Sequence, residues 1–137
     1  MAVTLEQKDL VDWTAFARAR AELGAGFVRI LGYFREDGVK SVAAIEAAMR
    51  AGNAAAMVIP AHTLKGEALQ FGAEPLGAVA ERIEMIARDC VESRDTPEEA
   101  LSDIVALRAL FESTLAMLER ESNPLVARRP AFGRRAI

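Results

Sequence analysis

Residues 61–76 read AHTLKGEALQFGAEPL, and this stretch pulls two ways. Ala, Leu, Lys, Glu and Gln are strong helix formers. Leu64, Ala68 and Phe71 recur at steps of four and three, the spacing of one buried helical stripe. Yet the stretch also holds Gly66, at about 1 kcal/mol against alanine in a helix interior, and His62, the one histidine of the chain. At ~100° per residue, Met57, Leu64, Ala68 and Phe71 gather on the core side. His62 points the other way, with Lys65 and Gly66 beside it at three- and four-residue steps. Leu69 follows on the same exposed side, and Gln70 next to it belongs with the same surface. Surface histidines, solvated lysines and single exposed leucines are ordinary. Gly66 is not, because it weakens the helix and serves no turn. Its missing side chain leaves room for something large to approach the imidazole.

Working outward, the turn AGN at 51–53 supplies Asn53 as N-cap, and Gly72 ends the helix. Pro60 lies inside it, so the helix either kinks there or becomes regular only from that residue. Downstream, Pro75 suits the first position of the next helix, whose stripe is Leu76, Val79, Ile83, Ile86 or Ala87, and Cys90. In SRDTPEEA, Thr96 is expected as N-cap, with Pro97 in the first turn and Glu99 completing a capping box. The last helix then runs to about Arg120, with Leu101, Ile104, Leu107, Phe111, Leu115 and Leu118 inward. Upstream, residues 1–11 read as a leader and Asp12 caps a short helix, WTAFARARAEL. Gly24 and Gly26 interrupt it. A long amphipathic helix follows, with Phe27, Ile30, Leu31, Phe34, Val42, Ile45 and Met49 as its stripe and Gly32 and Gly38 as weak points.

No segment reads as a strand and no repeat appears. Four substantial helices with short connections predict an all-α fold, an antiparallel up-down four-helix bundle with a short extra N-terminal helix. Residues 1–120 form the bundle in this reading. Residues 121–137, ESNPLVARRPAFGRRAI, are expected to be a basic, mobile tail.

The chain has 137 residues, one ordinary domain, with 52% hydrophobic but only 6% aromatic residues. Its core is therefore expected from Ala, Leu, Ile and Val. A net charge of -3 argues against a nucleic-acid-binding body. A single cysteine and a single histidine exclude an internal disulfide and a Cys/His zinc site, and Cys90 reads as a buried thiol. No apolar run approaches the ~20 residues of a membrane span. The first residues lack a secretory pattern, so the cytoplasm is the expected location. No carboxylate cluster for a metal accompanies His62, and no Gly-rich nucleotide loop is present.

Glu84 sits at the edge of the apolar stripe of the following helix, flanked by the small residues Ala80 and Ala87. A carboxylate there can accept from His62 Nδ1 and fix the tautomer that leaves the Nε2 lone pair free. It can equally pair with Arg88, one turn along its own helix. The sequence leaves both open.

These residues together resemble a known family. Ala61-His62-x-Leu64-Lys65-Gly66, the Phe71-Gly72-Ala73 step, Leu76 and the closing Glu84 are similar to the core pattern of histidine-containing phosphotransfer (HPt) domains of multistep phosphorelays. Upstream, the Leu23-Gly24-x-x-Phe27 step is similar too, and the likeness spans roughly residues 12–92. The resemblance implies a phosphoacceptor at His62, a lysine at position 65 that meets the phosphoryl oxygens, a small residue at Gly66 for partner entry, and an imidazole-orienting carboxylate at Glu84. Gly66, Leu69 and Gln70 would meet the partner. Two departures are Glu67, where the family prefers Ser or Ala, and Pro60. Glu67 points away from His62 in projection, so a modest effect is expected.

The implied function is a phosphoryl carrier without an ATP site, exchanging phosphoryl groups with receiver domains of response regulators or hybrid histidine kinases. No cofactor is expected, Mg²⁺ belonging to the receiver, nor any nucleic-acid or membrane partner, and the chain is expected to be a monomer. The competing reading is a helical adaptor that uses the same face without phosphoryl chemistry. Haem binding through His62 would need the ring in an apolar pocket, and the projection turns it outward.

Overall fold

Polar caps and glycines fix where the helices begin and end. The computed structural model describes residues 9–122, with α1 (Trp13–Leu23), α2 (Phe27–Arg50), α3 (Ala54–Gln70), α4 (Glu74–Ser93) and α5 (Leu101–Ser122). The tail assigned to 121–137 lies largely outside the described residues, as do residues 1–8. Asp12 accepts from the amides of Thr14 and Ala15 at 3.0 and 3.2 Å, and Asn53 from Ala56 at 3.1 Å. Both caps satisfy amides that a helix start leaves without partners. At the α3–α4 turn Gly72 has φ 78°, and a Cβ there would stand 2.7 Å from the carbonyl oxygen of Asp12. Only glycine suits both demands.

α2 packs on α3, α3 on α4, α4 on α5 and α5 on α2, while α1 lies against α2 and α3. No strand occurs among the described residues. The fold is the all-α bundle that the periodicity predicts. Met57, Leu64, Ala68 and Phe71 are buried, as are Phe34, Ile45, Leu76, Ile83 and Leu107. The few aromatics carry more of the core than their number suggests. Trp13, Phe16, Phe27, Phe71, Phe34 and Phe111 form one chain with ring centroids 5.0 to 5.7 Å apart. Cys90 is buried, its thiol held above the ordinary range by burial and then by the surrounding carboxylates. No described helix is long and apolar enough to cross a membrane.

Several sequence expectations need correction. α3 is helical from Ala54 through Pro60, so its regular part does not begin only at that proline, whose missing amide leaves the Ala56 carbonyl without its usual bond. Thr96 is not a helix cap. A 3₁₀ turn, Glu98–Ala100, precedes α5, Pro97 occupies its N-cap, and the Thr96 hydroxyl bonds the Glu98 carboxylate instead. The expected stripe Ile104, Leu107, Phe111, Leu115 and Leu118 is buried, but before it Ala100 of the turn faces inward while Leu101 is half exposed. α5 continues to Ser122, past the expected boundary at 120, and Arg20 Nη1 donates to the Glu121 carbonyl at 3.1 Å. The leader is not wholly a leader either. Leu10 and Val11 are buried, because the Asp12 amide donates to the Gly72 carbonyl at 2.8 Å and pins the segment on the bundle.

Candidate functional site

The buried stripe of α3 decides what the rest of α3 shows to solvent. With Met57, Ala61, Leu64 and Ala68 inward, His62 must face out, and its side chain is 57% exposed. Gly66 is exposed one turn on, and a Cβ built there meets nothing within 4 Å. Leu69 is half exposed but also reaches α4, where a Cβ on Gly77 would stand 2.6 Å from its Cδ2. Gln70 is exposed at the last position of α3. Ile59, one turn before His62, and Met85, beside Glu84, are exposed apolar residues that sequence reading did not single out.

α4 brings Glu84 under this surface. Ala80 and Ala87 are fully buried and Glu84 is 4% exposed, so small side chains let a buried carboxylate approach α3. Glu84 Oε2 lies 3.0 Å from His62 Nδ1 and accepts from Arg88 Nε at 2.9 Å, with Arg88 Nη2 2.8 Å away. Its Oε1 lies 3.0 Å from Lys65 Nζ. Burial pushes the Glu84 carboxyl up, but Lys65, Arg88 and His62 together outweigh it and hold the group at about 2. An ionised carboxylate can only accept, so in the neutral ring Nδ1 of His62 carries the proton and Nε2 has the free lone pair. Both options that the sequence left open hold at once: Glu84 meets His62 and Arg88 on the same oxygen.

Glu67 turns away from His62, as the projection indicates, and meets Asp37 of α2. It is partly buried and its Oε1 has no hydrogen-bond partner; burial, then the Asp37 carboxylate, push its carboxyl up to about 7. Sequence reading missed Asp37, which lies on another helix. It treated Arg88 only as a rival partner for Glu84, although the four-residue spacing announced the contact. Among the described residues, no group of three or more His, Cys, Asp or Glu side chains is placed to hold a metal ion.

The bundle thus sets one oriented histidine on its surface beside a lysine and a bare glycine. The Hpt domain family matches residues 29–121, and the chain belongs to this family. Hpt domains are histidine phosphotransfer carriers of phosphorelays, and receiver domains are their partners. No curated protein and no solved structure gives a significant match.

Proposed function

We propose that His62 accepts a phosphoryl group from the phosphoaspartate of one receiver domain and passes it to the aspartate of another. The observation that carries this reading is the 3.0 Å contact of His62 Nδ1 with buried Glu84, which leaves Nε2 as the outward, nucleophilic nitrogen. In the forward step the Nε2 lone pair attacks phosphorus, an N–P bond forms, and the P–O bond to the aspartyl carboxylate breaks with its electron pair leaving on oxygen. The ring keeps its Nδ1 proton and becomes cationic, and the Glu84 carboxylate stabilises that charge. Lys65 offsets charge on the transferring group. Positioning and charge stabilisation dominate such transfers, and Mg²⁺ comes with the receiver. The gap at Gly66, with Leu69 and Gln70, admits the partner, and Ile59 extends the apolar rim. The chain takes its phosphoryl group from a partner rather than ATP and works as a cytoplasmic monomer.

Incubation with phosphorylated receivers from the same organism tests the reading. The wild type should gain an acid-labile, alkali-stable ³²P label, and His62→Gln should gain none while keeping its helical circular dichroism. Equal label on both sinks the assignment. A chain that binds receivers without ever taking label is the adaptor instead. Gly66→Gln should slow transfer by obstructing the receiver, and Glu84→Ala should slow it even under conditions where circular dichroism shows the variant fully folded.

A further inference from the structure

The two oxygens of Glu84 are held very differently. Oε2 lies 3.0 Å from His62 Nδ1 and accepts from Arg88 Nε at 2.9 Å, with Arg88 Nη2 2.8 Å away. Oε1 is buried and receives no aligned hydrogen bond; the Lys65 ammonium stands 3.0 Å away, out of line. Arg88 reaches Glu84 from four residues on along the same helix, so its grip does not depend on α3. The guanidinium is planar and rigid and sets two nitrogens on the one oxygen, whereas lysine is a mobile point charge on a flexible stem.

Phosphorylation of His62 would change the competition. The phosphoryl oxygens bring close to two negative charges within one turn of Lys65, while the cationic ring needs Glu84 more than before. A buried carboxylate that loses its counter-charge is strongly destabilising. If Lys65 were the sole cation on Glu84, it would be held there. With Arg88 in place it can go.

We infer that the two cations divide the work. Lys65 is parked on Glu84 Oε1 in the resting protein and moves to the phosphoryl oxygens, and Arg88 is the positioning residue that keeps Oε2 fixed on His62 Nδ1 throughout. This rests on His62 being the phosphoacceptor.

Phosphoramidate tests it without any receiver: Nε2 bonds to phosphorus, the P–N bond breaks, and the departing nitrogen takes a proton to leave as ammonia. NMR on the full chain follows His62 Nδ1–H and the Lys65 side chain. A wild type that takes no phosphoryl group at His62 sinks the functional reading and this inference with it. In phosphorylated wild type the Lys65 Cε and Nζ resonances should shift while Nδ1–H stays slow to exchange. In phosphorylated Arg88→Gln, Nδ1–H should exchange about tenfold faster, the loss of one charge-assisted bond, and the Lys65 shift should shrink. Arg88→Lys, which keeps the charge but not the planar guanidinium, should recover part of both. A merely structural arginine would lower the melting temperature and leave Nδ1–H exchange alone. Unmoved Lys65 resonances in labelled wild type, or equal Nδ1–H exchange with and without Arg88, overturn the division.

Discussion

Two carboxyl groups of α3 and α4 are displaced in opposite directions, and the fold's response to pH follows from them. Glu84 is held at about 2 against its ordinary 4.5, so between those values the unfolded chain binds the extra proton. Its stabilisation is present above pH 4.5 and lost as pH falls toward 2. Glu46, lowered chiefly by its hydrogen bond with Arg108, acts in the same sense. Glu67 is raised to about 7 from 4.5 by burial and Asp37. The folded chain binds the extra proton there, so Glu67's contribution is complete below pH 4.5 and lost as pH rises to 7. Stability should therefore be greatest near pH 4.5 and decline on both sides. Glu67→Gln should flatten the limb between 4.5 and 7 and stabilise the protein at about pH 8 by roughly 1 kcal/mol, after allowance for solvent screening. Urea denaturation across that range measures it. A wild-type limb that survives the substitution would mean that the slope comes from other groups.

The helices show how similar sequence signals can have unlike causes. Gly38 in α2 and Gly66 in α3 both read as weak points in a helix. A Cβ on Gly38 would run into the buried ring of Phe111 from α5, while one on Gly66 meets open space. Gly38→Ala should therefore lower stability by about 1–3 kcal/mol through overpacking, despite the gain in propensity. Gly66→Ala should raise it by about 0.5–1 kcal/mol, the mark of a glycine that the fold does not need. Urea midpoints of the two variants moving in the same direction would refute this account. The same contrast separates what was legible in the sequence from what was not. The Asp12 and Asn53 caps, the stripe of α3 and the outward His62 depend on neighbours within two turns, and sequence alone reaches them. The reason for Gly38 lies 73 residues away, and a 3₁₀ turn ahead of α5 reassigns Thr96, Pro97 and Leu101. Glu84 as a partner of either His62 or Arg88 was visible only as a choice, because the sharing requires the close approach of α3 and α4 that Ala80 and Ala87 permit.

At the scale of the molecule, the family match begins at residue 29, inside α2, so α1 has the standing of an addition. Its contacts argue that it belongs to the same cooperative unit. Phe16 and Ala19 are buried, the Asp12 amide holds the α3–α4 turn at 2.8 Å, and Arg20 holds the end of α5. Phe16 is also a middle link of the aromatic chain, 5.0 Å from Trp13 and 5.4 Å from Phe27. Trp13 is the only tryptophan, so its fluorescence reports α1, while circular dichroism at ~222 nm reports all the helices together. For a two-state domain the two probes share one midpoint and one slope in urea. Phe16→Ala should move both curves together, by about 3–5 kcal/mol as for other buried aromatics. If the tryptophan transition shifts and the helical one stays, α1 is a separately docking appendage, and the bundle that carries His62 ends where α2 begins.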